Sequence, residues 1–374
     1  MTALRVILDE MTTAPNSAAA RYAEDLTRQL IATAPSGATV AGIVSAAPEA
    51  DYARIVELLP GLTVLHKSPL AHRELSAAWR HGITRIPGGG MVHAPSLFAP
   101  LGRHERAGVR GIQVAVTVHD ATPWTDPELV APRVVAWNQA MVKRAERFAD
   151  AVITQTHAVA EVLAERFDFG DRLRVINGAP SSRLHPVVDA AERRERLGLP
   201  APSGGYLLTW SSLGRRDGLG ALIVALDMLP ELTLVVIGDD APPEGSDAAL
   251  PNGRVLPLGP LEDDDLAAVL EGAELFVQPG RSESVGLALL DALAFGLPVI
   301  HSDAPSLVEI AAEAGVVVPG DRSDGYSERL ADAIRELIED AARLERLSIA
   351  ASDRVRAFSW RDSAEQVWRL HAEL

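Results

Sequence analysis

Short apolar strand signals alternate with helical patterns along almost the whole chain, and this alternation limits the possible fold more than any single motif. A buried strand signal at 4–9 is followed by a helical pattern at 17–34 with Tyr22, Leu26 and Leu30 on one face. The first half continues with strand signals at 39–44, 62–65, 91–94, 114–118 and 151–154, and helical patterns at 51–59, 71–80, 132–148 and 157–166. Such alternation predicts an α/β fold, in which helices cover both faces of a parallel sheet.

The alternation stops near Arg174 and resumes at Tyr206, after a segment that is first charged and then rich in proline and glycine. The second half has strand signals at 206–210, 232–237, 254–256, 275–277, 299–300 and 316–318, and helical patterns at 219–229, 263–271, 286–295, 305–313, 326–339, 341–357 and 361–373. We therefore predict two tandem Rossmann-like domains, 1–187 and 205–357, with a linker at 188–204 and a C-terminal helix at 358–374 that packs back toward the first domain. Their parallel sheets would face a central cleft, with ligands outside the carboxyl ends of the strands.

The charge and composition of the chain narrow the range of partners. A net charge of −16 argues against nonspecific binding to nucleic acid or to an anionic membrane. The absence of cysteine excludes disulfides, cysteine zinc sites and thiol nucleophiles. No stretch of about 18 or more apolar residues is present, and Met1 leads directly into a strand signal. We expect a cytoplasmic protein, with peripheral association at the inner face of the membrane as an alternative.

Residues 276–300 contain the clearest strand, helix and strand unit, and two carboxylates of its helix stand out. Glu283 lies at the helix entrance and Asp291 follows eight residues later, which places them roughly 12 Å apart along the helix axis. A glycosidase acid and base lie closer, at about 5–10 Å. The separation suits a ligand with two polar ends and an anionic middle, because free N–H groups at a helix start attract phosphate. The same residues fit a capped, half-buried helix with Asp291 facing solvent.

Several short strings in the chain match one known pattern in order and spacing. They are Arg5 to Asp9 followed by Arg21-Tyr22, Thr117-Val118-His119-Asp120 with Pro123-Trp124, Arg215-Arg216-Asp217-Gly218-Leu219, and Glu283 with Asp291. Together they resemble the GT-B glycosyltransferases of family 4, which are retaining enzymes that use nucleotide sugars. The likeness covers nearly the whole chain and is most specific in residues 274–319. It implies a GT-B architecture of two Rossmann-like domains.

The resemblance also implies a role for each site residue. His119 would approach the donor sugar and the reacting centre, and Glu283 would lie beside that sugar, so these two are the predicted catalytic residues. Asp291 stands where the family has a second glutamate, and it would meet the ribose hydroxyls. The predicted donor-binding residues are Arg215, Arg216, Ser284, Val285, Gly286, Leu287 and Asp291, with the N–H groups of 284–287 near the diphosphate.

Three departures from the family pattern fall on the positions that meet the donor phosphates. Residues 17–20, Ser-Ala-Ala-Ala, replace a glycine-rich loop, so we expect an ordinary helix start that restricts close approach of a ligand. Asp217 replaces a lysine and reverses its charge, although an aspartate here also suits a cap for the helix at 219–229. Ser284 and Val285 replace a Gly-Phe pair and add a side chain at the anion site.

These features leave two functions open. The first is a retaining glycosyltransferase that moves a hexose from a nucleotide sugar to a hydroxyl of a carbohydrate or glycolipid acceptor. It is expected to use no metal or other cofactor, because no Asp-x-Asp pair follows a strand at the cleft and the acidic run 263–265 indicates a solvated helix start. The second is a degenerate member that stabilises a paralogous glycosyltransferase, or assembles as a homo-oligomer. An NAD enzyme is disfavoured, since neither domain has Gly-x-Gly-x-x-Gly after its first strand.

Overall fold

The computed structural model describes residues 2–83, 90–103, 112–200, 205–211, 218–238, 253–280, 286–320 and 325–374. The chain divides into two compact units. Unit 1 comprises Met1–Gly178 together with Ser359–Leu374, and unit 2 comprises Ala179–Phe358. Each unit contains a parallel sheet, so the α/β fold class predicted from the alternation is confirmed. Among the described residues, no helix is both long and apolar enough to cross a membrane.

Unit 1 is built around a parallel sheet. Its strands are β1 (Thr2–Ile7), β2 (Ala38–Ala46), β3 (Leu65–Ala71), β4 (Gly90–Ala94), β5 (Ile112–Val118), β6 (Ala151–Thr154) and β7 (Leu173–Val175). Its helices are α1 (Glu10–Thr13), α2 (Ala18–Ala32), α3 (Glu49–Leu58), α4 (His72–His81), α5 (Thr122–Thr125), α6 (Pro132–Phe148), α7 (His157–Arg166) and, from the end of the chain, α15 (Trp360–Glu373). The strand order is β3-β2-β1-β4-β5-β6-β7, so the direction of winding reverses between β1 and β4.

Unit 2 repeats this design. Its strands are β8 (Tyr206–Trp210), β9 (Thr233–Ile237), β10 (Val255–Gly259), β11 (Ala273–Gln278), β12 (Val299–Ser302) and β13 (Gly315–Val318). Its helices are α8 (Ala190–Arg196), α9 (Leu219–Asp227), α10 (Asp263–Gly272), α11 (Leu287–Ala294), α12 (Pro305–Ala311), α13 (Tyr326–Glu339) and α14 (Ala341–Arg354). The strand order is β10-β9-β8-β11-β12-β13, and winding reverses between β8 and β11.

Strand β3 lies further along the chain than its apolar run predicted. The prediction was 62–65, whereas β3 runs Leu65–Ala71 at the edge of the sheet. Pairing with β2 begins before the strand proper, because Thr63 N donates to Val40 O at 2.9 Å. Beyond Leu65, exposed and half-buried residues alternate. An edge strand lacks the continuous burial that produces an apolar run, so the sequence marked only its start.

The segment predicted as a linker, 188–204, contains helix α8, which packs against α10 within unit 2. Arg193 pairs with Asp265 at 2.7 Å and with Asp264 at 3.0 Å. Arg194 donates to the Ala268 carbonyl at 3.0 Å. The acidic run at the start of α10, predicted to be a solvated helix start, is partly exposed and also bound by basic side chains of α8. The structural division falls earlier, between Gly178 and Ala179.

The C-terminal helix α15 completes unit 1. Trp368 Nε1 donates to the Leu30 carbonyl at the end of α2, at 3.1 Å. Near the start of α15, the ring of Trp360 lies edge-on to Tyr22, with centroids 5.3 Å apart. Tyr22, Leu26 and Leu30 are fully buried, as the helical periodicity of this segment predicted. Helix α15 is thus held along the length of α2.

Candidate functional site

In unit 1, two side chains meet where neighbouring strands end. His119 directly follows β5 and Gln155 directly follows β6, the next strand in the sheet. The Gln155 amide nitrogen lies 2.5 Å from His119 Nδ1. On another side, the ring of Tyr22 packs against the imidazole in a T-shaped arrangement with centroids 5.0 Å apart. The predicted site residue His119 is therefore held between two neighbours at the carboxyl edge of the sheet.

The surroundings of His119 keep its imidazole neutral. Burial lowers the pKa of His119 to about 4, against the opposing effects of the Pro95 carbonyl and the Asp120 carboxylate. If the Gln155 amide donates to Nδ1, the ring proton is on Nε2. Nε2 is buried and makes no hydrogen bond of ordinary geometry among the residues that the structure describes, although the Pro95 carbonyl lies close enough to the ring to favour its protonated form. At neutral pH the side chain can therefore act as a neutral hydrogen-bond donor but not as a cation.

Other buried polar atoms around His119 also have unused hydrogen-bonding capacity. The Tyr22 hydroxyl and Thr117 Oγ1 interact with each other, while Gln155 Oε1 has no hydrogen-bond partner within the described parts of the chain. An unsatisfied buried polar group costs about 1–3 kcal/mol, so the unpaired oxygen of Gln155 is unusual in a packed core. The sequence motifs contained Tyr22, Thr117 and His119 but not Gln155. Its position immediately after a strand was the available signal, and that signal alone is weak.

The departure at residues 17–20 has the structural effect that was predicted. Ser17 is the N-cap of α2, and its hydroxyl accepts a hydrogen bond from Ala20 N at 3.2 Å. The backbone of Ser17 is extended, as in an ordinary capped helix. One of the N–H groups that a phosphate would use at this helix start is therefore occupied by the protein's own side chain.

In unit 2, both helices that leave the point where winding reverses begin at a left-handed glycine. Gly218 precedes α9 with φ 69°, and Gly286 precedes α11 with φ 63°. A Cβ atom on Gly218 would lie 2.3 Å from the Pro279 carbonyl oxygen, and one on Gly286 would lie 2.3 Å from Cδ1 of Ile310. Both positions therefore favour glycine for conformation, and Gly218 also requires it for space, because the clash there is with backbone. Leu287, the first residue of α11, is buried in the core.

The ends of β8 and β11 bring together Gly218 and Pro279, which lie next in the chain to two predicted donor segments. Gly218 follows the first segment, and its backbone lies against Pro279, which precedes the second. Tyr326 donates to the Pro279 carbonyl at 2.9 Å, and Ser302 donates to the Gly280 carbonyl at 2.5 Å. The other residues that the sequence analysis singled out in these segments lie outside the described residues: Arg215, Arg216, Asp217, Glu283, Ser284 and Val285.

Asp291 is buried within unit 2. Only 1% of its surface is exposed, and its Oδ1 accepts a hydrogen bond from Ser181 N at 2.7 Å. The alternative in which Asp291 faces solvent is therefore wrong. Its role toward ribose hydroxyls stays a prediction, and in this structure the carboxylate fixes the chain just after Gly178. Across the described ranges, no group of three histidine or acidic side chains converges in a way that could hold a metal ion.

Two parallel α/β units, each with a reversal of winding beside its central strands, define a tandem Rossmann-like protein. Residues 19–179 match the family model described as Glycosyltransferase Family 4, and residues 196–354 match the one described as Glycosyl transferases group 1. The chain thus belongs to family 4 of the GT-B glycosyltransferases, as its motifs indicated.

The relatives of this chain support the same family assignment. The sulfoquinovosyl transferase SQD2 of Arabidopsis thaliana is 24% identical over 264 residues, covering 68% of this chain and 51% of that protein. A D-inositol 3-phosphate glycosyltransferase of Catenulispora acidiphila is 27% identical over 370 residues, covering 85% of this chain and 82% of that protein. The alignments span about half the length of SQD2 and of a second inositol phosphate relative, from Stackebrandtia nassauensis.

Solved structures confirm the architecture. HepE of Anabaena in complex with UDP-glucose superimposes with a TM-score of 0.73 at 17% identity, covering 100% of both chains. Sucrose-phosphate synthase of Thermosynechococcus elongatus gives a TM-score of 0.72 at 20% identity, covering 100% of this chain and 99% of that one. At such identities the likeness shows the GT-B fold and leaves the ligand to be tested.

Proposed function

We propose that this protein is a glycosyltransferase that moves a hexose from a nucleotide sugar to a hydroxyl of a carbohydrate or glycolipid acceptor. The observation that supports it best is the paired glycine start of α9 and α11 at the reversal point of unit 2, where open α/β sheets bind nucleotides. The N-cap of α11 is Gly286, which has no side chain that could occupy the N-terminal N–H groups of the helix. The family assignment supports the same chemistry.

The proposal assigns the donor to unit 2. Arg215, Arg216 and the N–H groups of residues 284–287 would hold the diphosphate, Glu283 would contact the sugar, and Asp291 would meet the ribose. In unit 1, the neutral imidazole of His119 would donate a hydrogen bond to the sugar or the acceptor. Retention of configuration and independence from metal are part of this proposal, and so is the acceptor class.

Two observations favour the second candidate, a catalytically silent member that stabilises an active glycosyltransferase. Ser17 caps α2 with its own side chain, so unit 1 presents fewer free N–H groups to a phosphate. Asp291 is buried and binds the backbone of Ser181, which restricts its access to a ribose. This candidate predicts that the isolated protein binds no nucleotide sugar.

Titration calorimetry of the full chain with UDP-glucose, GDP-mannose, UDP and GDP distinguishes the two candidate functions. The enzyme proposal expects one of these ligands to bind at micromolar concentration and Gly286→Ala to weaken binding, since alanine is strained at φ 63° and its Cβ would meet the Ile310 side chain. Gly220→Ala is the matched control, because a Cβ on Gly220 meets nothing within 4 Å. Absence of heat for every nucleotide sugar, with a folded wild-type protein, would support the silent member instead.

If a nucleotide sugar binds, two further measurements test the proposed retention of configuration and the proposed independence from metal. Proton NMR of the first-formed product reports the configuration at the anomeric carbon, and an inverted product would contradict retention. Turnover in the presence of a chelator tests metal independence, and loss of activity that Mg²⁺ restores would contradict it.

A further inference from the structure

A continuous set of hydrogen bonds connects helix α15 to His119 within unit 1. Ser363 Oγ, in the first turn of α15, lies 2.7 Å from the Asn177 carbonyl, and Asn177 Nδ2 donates to the Gln155 carbonyl at 2.7 Å. The Gln155 side chain then reaches His119 Nδ1 at 2.5 Å. The bonds cross the ends of β7, β6 and β5 in turn, so they follow the carboxyl edge of the sheet.

A second contact path joins the same helix to the same imidazole. Trp360, the first residue of α15, packs edge-on to Tyr22 with ring centroids 5.3 Å apart. Tyr22 in turn packs edge-on to His119 with centroids 5.0 Å apart. Trp360 and Tyr22 are both buried, so neither ring can move without displacing the core around it. Thus α15 fixes the imidazole through its ring face as well as through Nδ1.

Few other groups compete for the polar atoms of this hydrogen-bonded path. Ser363 and Gln155 are both buried, so water does not compete freely for their polar atoms. Ser363 Oγ also lies 2.9 Å from the Ser359 carbonyl, and one hydroxyl proton serves either this acceptor or Asn177. Ile176 N donates to the Thr154 carbonyl at 2.9 Å, which extends the pairing of β6 with β7 up to Asn177. The backbone that carries the path is therefore itself ordered by the sheet.

We propose that Ser363, Asn177 and Gln155 are positioning residues for His119, and that helix α15 is in this way a working part of the site. The inference rests on the proposed function, because it assigns His119 to the sugar or acceptor. The Gln155 amide group selects the tautomer in which Nε2 carries the proton, and α15 holds Gln155 in place through Asn177. A change at the C-terminal helix would then alter the donor capacity of His119.

Nitrogen-15 NMR of histidine-labelled protein, without ligand, tests the tautomer directly, with the His119 signal identified from His119→Gln. The wild type should carry its ring proton on Nε2. Gln155→Glu replaces the amide donor by a carboxylate acceptor, so the proton should move to Nδ1. Asn177→Ala and Ser363→Ala should change the tautomer ratio by about two- to tenfold, the range that one neutral hydrogen bond contributes. Ser363→Thr retains the hydroxyl and should restore the wild-type ratio.

Ser352→Ala is the matched control, because it also removes a helical serine that donates within its own helix, at an exposed position outside unit 1. An unchanged His119 ratio in both Asn177→Ala and Ser363→Ala, with wild-type melting temperatures, would overturn the proposal. Hydrolysis of UDP-glucose gives a separate readout, in which both variants should lower kcat by about two- to tenfold and leave KM unchanged. A tautomer response in a protein that binds no nucleotide sugar would uphold the positioning role and reject only the proposed activity.

Discussion

Acid should destabilise unit 1 through a buried pair of histidines that joins β4 to α15. His93 is completely buried and His371 is 2% exposed, and their rings lie edge to face with centroids 5.7 Å apart. Neither ring has a hydrogen-bond partner among the described residues. Burial lowers the pKa of His371 to about 4, although the nearby Asp150 carboxylate opposes the shift. Burial and the second imidazole also lower the pKa of His93.

The sign and size of the effect follow from linkage. An unfolded histidine titrates near pH 6.5, so between about pH 6.5 and 4 the unfolded chain binds a proton at His371 that the folded chain does not. Stability from this group is complete above the unfolded pKa and falls as pH decreases toward the folded pKa. The slope is about 1.4 kcal/mol per pH unit for one proton, which amounts to about 3 kcal/mol over the window.

Urea unfolding at pH 7, 6, 5 and 4, followed by tryptophan fluorescence, measures this loss. Five of the six tryptophans belong to unit 1, and only Trp210 belongs to unit 2, so the signal reports mainly on the relevant unit. Carboxylates also lose stabilising charge in acid, so the comparison is with His371→Gln, which should reduce the slope by about one proton. His185→Gln, at an exposed position, is the matched control. Equal slopes for the wild type and His371→Gln would refute the reasoning.

Three further predictions concern local structure. Gly286→Ala should lower the unfolding free energy by about 1–2 kcal/mol, because alanine is strained at φ 63°. Gly220→Ala, within helix α9, should raise the unfolding free energy by about 0.5–1 kcal/mol. Chemical denaturation of the two variants measures both changes and their opposite signs. Ser17→Ala should cost about 1 kcal/mol as a lost N-cap, measured in the same assay, and equality with wild type would contradict the cap. A hydrogen bond to Asp9 raises the pKa of His72 in the folded protein. The stability that this hydrogen bond contributes is therefore present below the pKa of the unfolded histidine and is lost as pH rises through the pKa of the folded one. NMR titration should show a lower His72 pKa in Asp9→Asn.

The sequence predicted the α/β fold because buried parallel strands produce continuous apolar runs, as at 206–210 and 299–300, and helices produce a face such as Tyr22, Leu26 and Leu30. It misplaced β3 because an edge strand is only half buried. The charged segment 188–204 was likewise misassigned, as a linker, because its sequence does not show which groups it packs against. Charge alone does not reveal whether an arginine faces water or, like Arg193, an acidic helix start.

The site was less predictable than the fold, because its geometry depends on contacts between residues far apart in the chain. Nothing local to Asp291 indicated that it would bind the backbone of Ser181, and nothing local to Gln155 indicated that it would reach His119. The motif did contain His119 itself. What it could not supply was the electrostatic state of the ring, since burial lowers its pKa only once the surrounding strands and α2 are assembled.

The two units share a topology, but their helix N-termini differ in which backbone N–H groups are available to bind an anion. In unit 1 the N-cap of α2 is Ser17, whose side chain already accepts from the Ala20 N–H. In unit 2 the helix after β11 begins at Gly286, which has no side chain to do so. A phosphate gains most where backbone N–H groups are unoccupied. This difference between the two helix starts supports the proposal that unit 2 holds the diphosphate, and the loss of glycines at 17–20 is compatible with that proposal.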